Sequence, residues 1–403
     1  MTSTRSAGRF GLTRVLFYSA IGISLPGAAL AVDPDVAKPR VVGVEWPGTG
    51  AISVSGTAED RLQDVDKTLL PVLIPRPFLT YKSLVFVGEP LQYTASVKDG
   101  DASISITGTR IAMDAGTDDV SGDAQAIRTT LHEKSAEASV NRYGAAYLLT
   151  VDCARSSDRR CKSGSYATNL LRSVELVGGG KDGAVAPATP QTPPLPATIP
   201  VSSDPNFAAD PPGDLIPKSG KGVKSDTIYA PGMRFPVSVK PVYLNSQVWN
   251  IGGNFGPKGG WSDRRNYKYP WRDNFCETRH WKTPMCPGGS GHQGVDIRPS
   301  SPKNENGQMG VAAENGRISF VGSYKITLAG DSGTHYNYLH MRNVRVKTGD
   351  RVTAGQPLGR ISNNFGSTST TYHLHFEIQQ NRNGKGWMHV PPYSSLVVAY
   401  ERL

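Results

Sequence analysis

No acidic residue precedes Asp33, although Arg5, Arg9 and Arg14 stand close together in the same segment. The apolar stretch from Val15 to Leu30 follows, interrupted by Pro26, and Ala29-Leu30-Ala31 supplies the small-x-small pattern of a cleavage site. So short and proline-broken a run is a poor membrane span. Residues 1–31 are therefore expected to be a removed signal peptide rather than an anchor. The absence of a cysteine near that point argues against a lipid anchor, and a second long apolar run is also missing. The mature chain should be exported without a stable membrane anchor, with the periplasm preferred over release from the cell.

Cysteine is scarce as well, at four in 403 residues. The four fall as two close pairs, Cys153 with Cys161 and Cys276 with Cys286. In an oxidising compartment each pair would staple one local loop. The alternative, a single zinc cluster of four thiolates, suits the spacing poorly, since paired zinc cysteines are separated by about two to four residues. Lysine and arginine are plentiful but scattered, matching no nucleic-acid motif. From Thr227 onward there are 21 basic and 10 acidic residues, against 20 and 24 in residues 32–226. A basic C-terminal part favours anionic substrates or surfaces.

A chain of this length suggests two or three domains. The stretch 178–225 holds Gly178-Gly179-Gly180 and the run from Pro187 to Pro196, a density of proline that cannot build a core and reads as an extended linker. Before it, residues 40–177 show short alternating runs between Gly, Pro and Asp turns, the pattern of a small β-rich domain. Within that domain Ala126 to Val140 is expected to be a helix, with Ile127 and Leu131 on one face. Its lone histidine, His132, lies in the polar run His132-Glu133-Lys134 and reads as a solvated residue. After the linker, 226–403 contains five of the six tryptophans and seven of the eight histidines. Its short strands and tight glycine turns, without a helix signal, predict an antiparallel sheet fold.

The chemistry concentrates in Tyr372-His373-Leu374-His375-Phe376 and in His292-Gln293-Gly294-Val295-Asp296. On a strand His373 and His375 share one face while Leu374 and Phe376 face a core. Three histidines and a carboxylate suit zinc. His340, in Tyr338-Leu339-His340, ends another expected strand.

Taken in order, these motifs resemble the lysostaphin-type zinc endopeptidases, which cut peptidoglycan cross-links or stem peptides. The likeness runs from about Phe255 to Gln380. It comprises His292-x-Gly294-x-Asp296, Val311-Ala312-Ala313 with Asn315-Gly316, Tyr338-Leu339-His340, Gly349-Asp350-x-Val352-x-x-Gly355-Gln356, and His373-Leu374-His375-Phe376-Glu377. The resemblance implies a single Zn²⁺ held by His292, Asp296 and His375, with a fourth position for water. His373 and His340 would act on the reaction without binding metal, His373 as the base and the other stabilising the oxyanion or protonating the leaving amine. Gly294 would allow close backbone approach, and Glu377 would either support the site or be exposed. Peptidoglycan is the implied partner. The alternative is an inactive relative that keeps the fold and activates a cell-wall amidase; such relatives generally lack zinc ligands, and all are present here. His280, His335 and His389 match no position of the family and are expected to be structural or superficial.

Two features depart from the family pattern. The segment before His292 is long and carries Cys276 and Cys286, and the bulky Tyr372 precedes the closing motif. The aromatic and basic run Trp261 to Arg272 reads equally as a groove rim or as a loop packing its own tryptophans. The N-terminal domain reads as a module that binds the wall or a cell-wall protein, or as a pro-region. The opposite charge signs of the two halves favour mild inhibition by it.

Overall fold

The computed structural model describes residues 35–48, 50–114, 126–132, 134–181, 204–300, 308–382 and 385–403. The expected signal segment 1–31 and the proline-dense stretch 182–203 lie outside them. The described residues form one compact unit, dominated by strands.

In the N-terminal part, Val85–Glu89, Gln92–Asp99, Ala102–Thr109, Ala145–Asp152, Ser135–Arg142 and Arg128–Leu131 form an antiparallel sheet in that spatial order. Alternation sends Tyr93, Ala95, Val97, Ile104, Ile106, Ala136, Ala138, Leu149 and Val151 into one core, where helix Ser165–Arg172 adds Leu170 and Leu171. The mainly β expectation therefore holds here, but the helix expected over Ala126–Val140 is wrong. Instead Arg128–Leu131 and Ser135–Arg142 pair as antiparallel strands, with Arg128 opposite Ser139 and Leu131 opposite Ala136. Ala136, Ala138 and Val140 recur every second residue, and burial on that face overrides the weak helical spacing of Ile127 and Leu131.

In the C-terminal part the long strand Thr368–Arg382 is central. Val295–Arg298 pairs along one edge of it and His335–Leu339 along the other, both antiparallel. Lys325–Gly330 and Gly316–Val321 extend the sheet beyond His335–Leu339. Leu374, Phe376 and Ile378 are fully buried on the core face. Each contributes about 1.5–3 kcal/mol by leaving water. A departure from the helix-free expectation is Tyr393–Glu401, whose Leu396 and Tyr400 are buried in the same core.

Residues 204–225 are laid along the segment that leads to the histidine motif. Asp210 N–H donates to the Trp271 carbonyl, Thr278 N–H to the Ser219 carbonyl, and Gly213 N–H to the Asp273 carboxylate. Trp271 is itself fully buried, donating its indole N–H to the Val242 carbonyl and packing against Phe207, Phe235 and Tyr400. Trp261 instead lies beside Tyr372, their rings 6.3 Å apart.

Candidate metal centre

Strand register explains how residues about eighty positions apart meet. Asp296 stands directly opposite His375, and Leu339 stands opposite His375 on its other side. His340 follows Leu339 and turns back toward the same face, with φ 65°, a left-handed conformation uncommon for a residue with a side chain. His373 lies two residues before His375 and shares its face. His292 arrives from the adjoining loop, fixed by backbone bonds from Cys276 N–H to its carbonyl and from its own N–H to the Glu277 carbonyl. The disulfide Cys276–Cys286 closes that loop, and Cys153–Cys161 is the second local pair, as the spacing suggested.

The close approach expected at Gly294 is present. A Cβ there would strike the Phe376 carbonyl and lie 2.9 Å from both His375 Nε2 and Glu377 Cγ. Those atoms belong to the central strand, which cannot retreat without moving His375. Gly294→Ala should therefore lose about 1–3 kcal/mol of stability, the usual cost of overpacking. A chemical-denaturation curve superimposable on wild type would refute this.

His292 Nε2 lies 3.0 Å from His375 Nδ1, and Asp296 Oδ1 lies 3.0 Å from His375 Nδ1 and 3.4 Å from His292 Nε2. The other nitrogen of each ring is engaged, which assigns the tautomers. His292 Nδ1–H donates to the Asn274 carbonyl at 2.8 Å, and His375 Nε2–H donates to Glu377 Oε1 at 3.0 Å. Two bare imidazole lone pairs and a carboxylate oxygen therefore converge, all buried. Such a set repels itself unless a cation sits among it. The surroundings favour positive charge at this point, whether a proton or a metal ion supplies it. Burial disfavours a charged His375, yet Asp296 and Glu377 outweigh it and push its pKa up to about 9. Burial likewise opposes ionisation of Asp296, but the facing histidines hold it well below the usual carboxylate range. His292 is held below the ordinary imidazole range, chiefly by burial.

Donors about 3.3 Å apart are the edge of a tetrahedron with bonds near 2.0 Å, so the residues fit Zn²⁺ bound through three protein ligands. Glu377, left undecided by the sequence, is buried and bonded to His375, the support that a metal-binding imidazole ordinarily has.

His373 and His340 face this trio. His373 Nδ1–H donates to the Thr371 carbonyl at 2.9 Å, leaving Nε2 bare and 3.4 Å from Asp296 Oδ1. His340 Nδ1–H donates to the Asn364 carbonyl at 3.0 Å, and its ring lies 4.5 Å from that of His373. Burial, then the neighbouring His373 and His375, hold His340 neutral, well below the imidazole range. Arg279, Trp281, Gln247 and Tyr324 complete the walls of the cleft.

Of the remaining histidines, His280 is exposed, and His335 is buried against Trp387. His389 is also buried, with Nε2 3.3 Å from Glu377 Oε2. His132 corrects the sequence reading: its side chain is only 8% exposed and it lines the cleft, because the neighbouring strand Ser135–Arg142 is seated against the C-terminal sheet, Glu137 accepting from the Gln379 amide. Asn274 was missed. It orients His292 through its carbonyl and accepts from Asp296 N–H through Oδ1, roles that depend on the fold and leave no mark in local sequence.

Residues 290–386 match Peptidase family M23. A curated relative, the glycyl-glycine endopeptidase ALE-1 of Staphylococcus capitis, is 33% identical over 122 residues, 29% of this chain and 32% of that protein. The chain thus spans about a third of that relative's length. Among solved structures, the catalytic domain of the antimicrobial peptidase lysostaphin from Staphylococcus simulans is 27% identical, covering 33% of this chain and 94% of that one with a TM-score of 0.25. Pseudoalterin, an M23 metalloprotease from the deep sea, is 30% identical over 25% of this chain and 60% of its own, with a TM-score of 0.22. The sequence matches carry the likeness: residues 290–386 of this chain match peptidase family M23, and the converging histidines and aspartate lie within that stretch.

Proposed function

We propose that this protein is an exported zinc metalloendopeptidase that hydrolyses peptide bonds in peptidoglycan stem peptides or cross-links. The observation that carries the reading is the convergence of His292, Asp296 and His375 on one point, with His340 and His373 facing it. Bound zinc would supply a water of lowered pKa and polarise the scissile carbonyl. The protein's own groups do the rest. Asn274 and Glu377 keep the inward nitrogens of His292 and His375 free of protons. Thr371 and Asn364 do the same for Nε2 of His373 and His340, so both rings present a bare Nε2 to the cleft. His373 is the base in this reading, because its bare Nε2 is the one held beside Asp296. A proton taken there stays close enough to be passed to the leaving amine. The basic charge of the C-terminal half favours an anionic wall polymer as substrate.

Purified sacculi treated with the mature protein and zinc should release muropeptides with newly formed amino termini, identified by mass spectrometry. A chelator should abolish the release. Unchanged muropeptides after treatment with the zinc-loaded protein would sink the proposal.

A further inference from the structure

A second group of metal-ligating side chains lies behind the first. His132, Glu137 and His389 each place one donor atom within 4.8 Å of the others. His132 Nε2 is 3.4 Å from Glu137 Oε2. His389 Nε2 is 3.3 Å from Glu377 Oε2, so Glu377 reaches this group with one oxygen while its other holds His375. These two separations match the edge of a tetrahedron with bonds near 2.0 Å, and the others would have to close slightly around an ion. Glu137, Glu377 and His389 are each less than 5% exposed. His132 Nε2 is buried without a close hydrogen-bond partner, an arrangement that is costly unless something else satisfies it.

Charge points the same way. The Lys325 ammonium, 3.5 Å from Glu137 Oε1, balances one of the two buried carboxylates and also interacts with Asp152. Negative charge is left over, and two imidazoles adjoin it. Two nitrogens and two carboxylates form a donor set for a borderline divalent ion such as zinc.

We propose that His132, Glu137, His389 and Glu377 bind a second divalent transition-metal ion. That ion joins the N-terminal hairpin 128–142 to strand Gly386–Val390 and, through Glu377, to the strand that presents His375. The N-terminal part is then an integral support of the catalytic strand, and its attachment depends on metal.

The test counts zinc in full-length protein stripped by chelator, reloaded and freed of excess by dialysis. Wild type should hold two zinc ions per chain, the double variant His132→Gln/His389→Gln one, and His292→Ala one. Glutamine keeps each site polar and of similar size, and Co²⁺ absorption in the His292→Ala protein reads the second site without relying on the double variant's fold. One zinc in wild type and one in the double variant overturns the proposal, since a protonated imidazole then balances the charge. Two zinc ions in both also overturns it. Loss of the first site alone would leave wild type and His292→Ala with equal counts, a different result from loss of the second.

Discussion

His292→Ala should lose one zinc per chain and cleave peptidoglycan about 10³-fold more slowly or worse. His292 contributes one of three converging ligand atoms, and the two that remain, from Asp296 and His375, are too few to hold a catalytic zinc. Losing the metal forfeits both the activated water and the polarised carbonyl. These are worth several kcal/mol, and about 4 kcal/mol is a thousandfold in rate. The substitution also frees the Asn274 carbonyl, a smaller effect that water entering the vacated space can relieve. Zinc content, circular dichroism and turnover on purified sacculi, measured on one preparation, separate these effects. Turnover within tenfold of wild type from a folded, zinc-depleted protein would rule out zinc as the source of the chemistry.

How much of this was legible beforehand follows from where each constraint resides. The alternation of Tyr372 to Phe376 is a local property, and the structure has Leu374 and Phe376 buried in the core while His373 and His375 share the opposite face. The motif order located His292 and Asp296, because a register that places Asp296 opposite His375 is encoded by two strands whose patterns are both readable. Asn274, Thr371 and Asn364 were not readable in the same way. All three act through backbone carbonyls, which every residue has, and the added side-chain bond of Asn274 depends on a loop's path. The hairpin 128–142 went wrong for a different reason. Its Ala136-Glu137-Ala138-Ser139-Val140 run alternates apolar and polar, but the polar members are also buried, against the C-terminal sheet. With both faces covered and alanine dominant, helix and strand patterns differ little. The same contact turned His132 from an expected solvated residue into a wall of the cleft.

His373→Gln and His340→Asn should each keep the wild-type zinc content at the site of His292 while lowering kcat by about 10²–10⁴-fold, the scale of general acid–base catalysis. Both rings present a bare Nε2 toward the cleft, and neither is needed to complete a three-ligand site. Asparagine is chosen at position 340 because the backbone there has φ 65°, which asparagine tolerates better than most residues. That strained conformation aims the ring at His373 and costs on the order of 1–3 kcal/mol, so a residue held there is held for its position. The two variants differ in what else they test. His373 Nε2 lies 3.4 Å from Asp296 Oδ1, near enough to act as a fourth ligand, and a fourth ligand would leave zinc no open position for water. Retained zinc with lost turnover in His373→Gln therefore supports the base over the ligand, and lost zinc reverses that assignment. In His340→Asn the discriminating result is the double variant. If the two histidines handle one proton in a single step, removing both should cost little more than removing the worse of the two. Fully additive losses would mean that they act on separate steps, with His373 as base and His340 at the leaving amine.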